Sequence, residues 1–317
     1  LAMKFNNLYL HSFNNILKRY FNLSKKLLFL LSLSYLIYYL LINANEIKFE
    51  NNFYNKNIFL SFLFCCLSII FNGFAWKSII QWFGEKRRVK GLVSFYILTN
   101  SLKYIPGGVW HFIERFNFLK TKINPKLALY SILIEPYLML SVAFLLIFIN
   151  SFYNPFYLLF VFPCMLLNKK LIFYILIRLE KFKSRSLNTF KLYNFNNDND
   201  LELNISTFFP YKAILIEILF VISKFLGFIF CFNFFYIGND LNFLQIFIVF
   251  CLSWSIGLII PAAPGGLGVF EASYLFFSGN NYPQNVILMT LIYFRFISTT
   301  TDVLFSAPFL VRKYLNK

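Results

Sequence analysis

The chain has few of the residues from which soluble enzymes build catalytic and metal sites. Only two of its 317 residues are histidine, and its five cysteines lie within apolar runs without metal-ligand spacing. It contains no Walker phosphate loop and no Gly-x-Ser-x-Gly nucleophile motif. We therefore predict no cofactor, no metal and no catalytic residue. Enzyme activity stays uncertain, because Glu114, Glu271 and Asp302 are the only acid–base candidates.

Acidic residues are also scarce, and the cations are unevenly placed. There are 13 Asp and Glu against 30 Lys and Arg, a formal net charge of +17. The composition is 59% hydrophobic and only 14% charged, which is typical of an integral membrane protein. Because the cations fall in short segments between long apolar runs, they indicate cytoplasmic loops and exclude a nucleic-acid-binding function.

The apolar runs predict an all-α, polytopic bundle of membrane-spanning helices. The expected spans are 27–45, 58–80, 127–149, 152–167, 213–237 and 285–311. Basic segments place both termini on the cytoplasmic side. The chain divides into an amphipathic interfacial helix (1–26), an N-terminal transmembrane half (27–183), a cytoplasmic linker (184–211) and a C-terminal transmembrane half (212–317).

Two helix-breaking sequences interrupt this pattern, and we call them the first break (106–108) and the second break (261–268). The second break has two prolines and three glycines in eight residues, which cannot continue an α-helix. At membrane depth, broken backbone is tolerated only where it is buried in protein or lines a wet cavity. Each half is therefore predicted to contain a re-entrant helical hairpin with a break at its tip.

The two breaks also suggest an internal repeat. Pro106 and Pro264 are 158 residues apart (264 − 106), and each begins a Pro-Gly-Gly sequence. The same offset pairs Phe112 with Phe270, Phe118 with Phe276 and Pro125 with Pro283. Since the basic loops place the hairpins on opposite membrane faces, we predict two inverted repeats, as in secondary transporters. Coincidence in a Phe-rich chain is the alternative.

Ionisable residues lie inside two of the expected spans, although each costs at least ~2.5 kcal/mol to insert. Arg295 and Asp302 share the last span, and Glu217 and Lys224 share an earlier one. Seven residues put each pair on one helical face about 10 Å apart, which is too far for direct contact. The spacing predicts cross-helix pairing or a shared wet cavity. A simple neutralising pair stays open for Glu217 with Lys224.

Ten residues around the breaks make up the predicted substrate-binding site. The cations, which would hold a phosphate, are Lys103, Arg115 and Arg295. The carboxylates, which would meet an ammonium group or couple protons, are Glu114, Glu271 and Asp302. The glycines, whose backbone N–H groups would bind an anion, are Gly107, Gly108, Gly265 and Gly266. For Glu114 and Glu271 the alternative is stabilisation of a helix N-terminus.

Two segments, 103–110 (Lys-Tyr-Ile-Pro-Gly-Gly-Val-Trp) and 261–272 (Pro-Ala-Ala-Pro-Gly-Gly-Leu-Gly-Val-Phe-Glu-Ala), resemble the two motifs of the lysylphosphatidylglycerol synthase/flippase transmembrane family. The resemblance implies a protein of the cell inner membrane that moves a phospholipid, aminoacylated in some members, between leaflets. The sequence continues only a few residues beyond Val311. We therefore expect no aminoacyl-transferase domain and carry over only the translocating portion.

Two other functions remain open at this point. The chain could be a membrane-embedded transferase or accessory protein acting on a lipid-linked sugar, or a non-catalytic scaffold. Membrane phospholipids are the expected partners, and a homo-oligomer or a separate lipid-modifying enzyme would also fit.

Overall fold

The computed structural model describes residues 55–84, 89–105, 108–148, 162–168, 209–236, 241–260, 264–279 and 281–315, with a few isolated positions besides. In this part of the chain all regular structure is helical, which confirms the all-α class. The predicted interfacial helix, the span 27–45 apart from four isolated positions, residues 152–161 of the span 152–167 and nearly all of the linker lie outside the described residues.

Nine α-helices and two 3₁₀ turns make up the described fold. The helices are α1 (Lys56–Trp82), α2 (Leu92–Thr99), α3 (Trp110–Leu119), α4 (Pro125–Phe148), α5 (Phe162–Met165), α6 (Tyr211–Phe235), α7 (Phe243–Ile259), α8 (Val269–Ser278) and α9 (Gln284–Leu315). The first 3₁₀ turn is Asn100–Tyr104 and the second is Pro264–Gly266. The first 3₁₀ turn lies just before the first break, and the second lies within the second break.

Four of the described helices are long and apolar enough to cross a membrane. They are α1, α4, α6 and α9 as far as Pro308. Each begins within two residues of the start predicted for its span, so the multi-pass membrane assignment holds for this part of the chain. Large apolar side chains such as Phe59, Leu215 and Phe296 point outward from these helices. An acyl-chain surrounding suits such a surface because hydrocarbon, unlike water, does not penalise it.

Close packing of α1 on α6 forms the centre of the bundle. A Cβ on Gly227 would stand 3.0 Å from the Cys65 sulfur and 3.3 Å from the Ser61 carbonyl oxygen. The Ser61 hydroxyl donates to the Gly227 carbonyl at 2.7 Å. Small residues therefore let the two backbones approach, as is common between helices in membranes.

Each break lies between two helices that pack on one another. We call α2 and α3 with the first break between them the first unit, and α7 and α8 with the second break between them the second unit. In the first unit, the Phe95 ring of α2 stacks on the Phe118 ring of α3 with centroids 3.9 Å apart. In the second unit, a Cβ on Gly257 of α7 would be 3.4 Å from the Phe270 Cβ of α8. The starts of α3 and α8, and those of α4 and α9, match the predicted offset within one residue. Re-entry into a membrane and inversion of the units stay predictions.

Candidate functional site

Asp302 of α9 holds the first 3₁₀ turn. Its carboxylate is fully buried and forms an ion pair with Lys103, with 2.8 Å between Oδ2 and Nζ. It also accepts hydrogen bonds from the Asn100 amide at 2.7 Å and the Tyr104 hydroxyl at 2.6 Å. All three donors belong to the turn that precedes the first break. Three donors around one carboxylate compensate for its removal from water.

Arg295 of the same helix holds the second 3₁₀ turn. Its Nε donates to Glu271 Oε1 at 2.6 Å. Its Nη1 and Nη2 donate to the carbonyl oxygens of Gly265 and Gly266 at 3.2 and 3.1 Å. A guanidinium can do this because its planar fork carries five donors. Arg295 thus neutralises a carboxylate and satisfies two carbonyls that the broken helix leaves free.

Glu271 also stabilises the start of α8. Its Oε2 accepts from the backbone N–H of Gly268 at 2.7 Å, one of the donors that a helix N-terminus leaves unsatisfied. The structural role weighed for Glu271 in the sequence is therefore present, together with its contact to Arg295. The Arg295 guanidinium lies 5.3 Å from the centre of the Phe270 ring, which covers it from one side.

The first 3₁₀ turn and the second break touch through Tyr104. A Cβ on Gly265 would lie 2.7 Å from Cε1 of the Tyr104 ring, so any other residue here would collide with the ring. Gly265 also has φ +65°, a conformation that side chains with a Cβ disfavour. One tyrosine therefore contacts Asp302 through its hydroxyl and the second break through its ring.

The contact with the first 3₁₀ turn and the contact with the second break come from one face of α9, where Asp302 and Arg295 lie seven residues apart. Ser298, between them, accepts a hydrogen bond from Lys224 of α6 at 2.6 Å. The seven-residue spacing predicted cross-helix pairing or a shared wet cavity, and Arg295, Asp302 and Lys224 each contact a different element of the fold. The fourth of these charges, Glu217, does not pair with Lys224.

Arg115 lies in a third, separate ion pair. Its Nη1 is 2.9 and 3.0 Å from the two carboxylate oxygens of Glu135 on α4. Glu135 also accepts from the Tyr96 hydroxyl at 2.6 Å, and the Arg115 guanidinium lies 3.6 Å from the centre of the Tyr96 ring. Only 1% of the Arg115 side chain and 5% of the Glu135 side chain are exposed. Arg115 is therefore enclosed by protein: its Nη1 contacts Glu135, its Nε donates to the Thr99 hydroxyl at 3.3 Å, and its Nη2 has no hydrogen-bond partner among the described groups.

Glu135 and Tyr96 were not among the predicted site residues. A signal for Glu135 existed, since it is the acidic residue in the apolar span that follows the first break. For Tyr96 there was none, because a tyrosine in an apolar segment of a Tyr-rich chain is unremarkable. Asn100, the third donor to Asp302, was also missed for lack of a local pattern.

The remaining predicted residues make fewer of these contacts. Gly108 has φ +62° and open space where a Cβ would stand, and Gly107 lies outside the described residues. Glu114 is half-buried on α3. Its neighbour His111 is buried, and this burial, together with the charges of Arg115 and Lys103, lowers the pKa of the imidazole to about 2. His111 is therefore neutral and packs beside Phe112, with ring centroids 3.8 Å apart.

Within the described ranges no three His, Cys, Asp or Glu side chains are grouped closely enough to hold a metal ion. Comparison with protein-family models found no match, and comparison with curated proteins found none either. The likeness to the lysylphosphatidylglycerol synthase/flippase transmembrane family stays a prediction from two motifs.

Proposed function

We propose that this protein moves a phospholipid, or another lipid with a charged headgroup, between the leaflets of the inner membrane. One observation carries the proposal: charged side chains of α9 hold the first 3₁₀ turn, through Asp302, and the second break, through Arg295. Purely structural contacts in a membrane protein can be apolar, whereas ionisable groups inside apolar helices are costly. Such groups at broken backbone commonly belong to a substrate pathway.

The chemistry of the exposed cations suits a phosphate. The Arg295 side chain is 19% exposed and the Lys103 side chain 27% exposed, so a ligand can approach both. Arginine binds carboxylate and phosphate with the same fork, and a phosphate offers it more acceptor oxygens. A headgroup phosphate would therefore compete with Glu271 for Arg295 and with Asp302 for Lys103.

Competition of this kind would also create a place for an ammonium group. When a phosphate engages Arg295, the carboxylate of Glu271 loses its cation and can accept a positively charged headgroup. A zwitterionic or aminoacylated lipid carries both charges and would satisfy both sides of the opened pair. A lipid without a cation would leave the carboxylate buried and unpaired, which costs several kcal/mol.

The same exchange would loosen the protein around the ligand. Arg295 holds the carbonyls of Gly265 and Gly266, so withdrawing it toward a phosphate would release the second break from α9. Asp302 binds side chains of the first 3₁₀ turn, so drawing Lys103 toward a phosphate would weaken that contact as well. We propose that this release lets one helix–break–helix unit shift past α9 as the headgroup crosses. Arg115 would position α3 against α4, because its enclosed site leaves no route for a headgroup.

The test is a lipid-movement assay on the full chain in liposomes containing a headgroup-labelled fluorescent phospholipid. Dithionite added outside reports how fast labelled lipid reaches the outer leaflet. Arg295→Ala and Glu271→Ala each remove a charge-assisted contact worth about 1.5–3 kcal/mol, so we expect a roughly tenfold or greater loss of rate. The matched control is Lys120→Ala, which removes an exposed cation outside the three ion pairs.

Variants are compared only after gel filtration shows that they elute as the parent does. Arg295→Lys adds a second comparison, because it keeps the charge and removes the fork; we expect a rate between those of the parent and Arg295→Ala. Equal rates in the parent, Arg295→Ala and Glu271→Ala would overturn the proposal, and so would a parent no faster than protein-free liposomes.

A further inference from the structure

Glu217 differs from every other described carboxylate in an apolar helix. It lies in the second turn of α6, and 1% of its surface is exposed. Its Oε1 is buried and receives no hydrogen bond from any described group. By contrast Glu135, Glu271 and Asp302 are each paired with a cation. Since an unpaired buried carboxylate costs several kcal/mol, Glu217 requires a separate explanation.

The cations of the neighbouring helices do not supply one. α6 packs against α1, α4 and α9. Lys224, on α6 itself, is directed to Ser298, and Lys77 of α1 is placed near the Phe74 ring. On α9, Arg295 is held by Glu271 and the second break. α7, whose Trp254 ring contacts the Phe220 ring of α6, contains no Lys or Arg.

The charge that acts on Glu217 from α4 is negative. Glu135 of α4 is close enough for its charge to raise the energy of an ionised Glu217. Glu135 itself is neutralised by Arg115, which contacts Glu135 and the Tyr96 ring. With both acids ionised, the cluster of Arg115, Glu135 and Glu217 would carry a net negative charge in an apolar interior. With a proton on Glu217 it is neutral.

We infer that Glu217 is a proton-binding site, which carries a proton at neutral pH inside the bundle. The proton supplies the positive charge that no described side chain provides, and it turns a carboxylate with an unsatisfied oxygen into a neutral carboxyl group. A movement that brought water or a cation to Glu217 would release the proton. Glu217 can therefore take up and release a proton as its surroundings change. This inference is independent of lipid translocation, since it concerns only the occupancy of one carboxyl group.

Infrared spectroscopy of the full chain in detergent tests the inference directly. A protonated carboxyl group gives a C=O stretching band that is resolved from those of carboxylates and amides. At neutral pH we expect this band in the parent, and we expect it to shift when the protein is made with isotope-labelled glutamate. Glu217→Gln should abolish the band. Glu114→Gln, which changes a half-buried glutamate in the same way, should leave it in place.

Thermal unfolding gives a second readout. Gln has nearly the shape of a protonated Glu and is neutral, so Glu217→Gln should leave the melting temperature unchanged. A band that survives in Glu217→Gln would overturn the inference, because the protonated carboxyl group would then belong to another residue. A large drop in the melting temperature of Glu217→Gln would also overturn it, because the change would then have removed a charge that is paired in the fold. If the variant does not fold, the spectrum of the isotope-labelled parent is the test. The absence of a glutamate-derived carboxyl band from that spectrum at neutral pH would overturn the inference.

Discussion

The two places where α9 holds broken or tightly turned backbone are built with opposite polarity. At the first 3₁₀ turn, the turn supplies the cation, Lys103, and α9 supplies the acid, Asp302. At the second, α9 supplies the cation, Arg295, and the residues after the break supply the acid, Glu271. One helix thus presents both signs of charge, two turns apart, and each finds its complement on a different unit. This arrangement is the basis of the proposed response to a headgroup that carries both signs.

Each unit's last helix forms an ion pair with the long helix that follows it. Arg115 of α3 pairs with Glu135 of α4, and Glu271 of α8 pairs with Arg295 of α9, so the signs are exchanged. The pair in the first unit is sealed, whereas that of the second unit binds the carbonyls of Gly265 and Gly266 as well. The first pair therefore joins two helices, whereas the second pair joins two helices and also holds the second break.

The largest effect should come from breaking the sealed pair. Glu135→Ala leaves the Arg115 guanidinium buried without its carboxylate, so we expect a loss of about 3–5 kcal/mol in unfolding free energy. Unfolding of the purified chain in detergent, followed by circular dichroism, measures it. The double variant Arg115→Met with Glu135→Leu removes both charges and should recover much of the loss. A single variant as stable as the parent would show that the pair contributes nothing.

A smaller effect should follow from Asp302→Asn. The change removes the ion pair, but the partly exposed Lys103 can turn toward solvent, and Asn can keep one of the two neutral hydrogen bonds. We expect a loss of about 1–3 kcal/mol in unfolding free energy. We also expect a wider distribution of distances between spin labels at two exposed positions, Ile105 beside the first break and Leu267 within the second.

Lys120→Ala in the same spin-labelled background is the control, and it should leave the distance distribution narrow. If Asp302→Asn also left the distribution unchanged, the first 3₁₀ turn would be held by packing alone. The contrast in polarity between the two places would then have no mechanical consequence.

The smallest effect separates contact from backbone strain at two glycines. Gly265 and Gly108 have similar positive φ angles, +65° and +62°, but only Gly265 lies against Tyr104. Substitution by Ala should cost about 1–2 kcal/mol at either position for the left-handed backbone. At Gly265 the collision with the ring should add to this cost. Equal losses of unfolding free energy in Gly265→Ala and Gly108→Ala would exclude a close contact between Tyr104 and the second break.

Several parts of the fold could be predicted because they depend on local chemistry. Helix starts near 56, 125, 211 and 284 follow from long apolar runs, and each prediction lay within two residues of the structure. The second break followed from two prolines and three glycines, whatever surrounds them. The requirement that Arg295 and Asp302 reach other elements also followed from their spacing on one helix.

The partners of those charges could not be predicted. Asn100 and Tyr104 are about two hundred residues from Asp302 along the chain, and their contact depends on how α2 and α9 pack. A neutralising pair of Glu217 with Lys224 was one predicted option, yet Lys224 donates a hydrogen bond to Ser298. Neither outcome has a local signature, because hydrogen bonds between distant elements are set by side-chain direction and helix position.

The amino-acid sequence alone determined that this is a helical membrane protein with broken backbone at two places and with charges that need partners inside it. These properties follow from hydrophobicity, from the conformational limits of proline and glycine, and from the cost of burying charge. Only the tertiary structure decided which charge meets which. It also decided that one face of α9 holds both units, and that Glu217 has no cation beside it within the described part of the chain. Those outcomes depend on the packing of helices far apart in the chain, which no local pattern records.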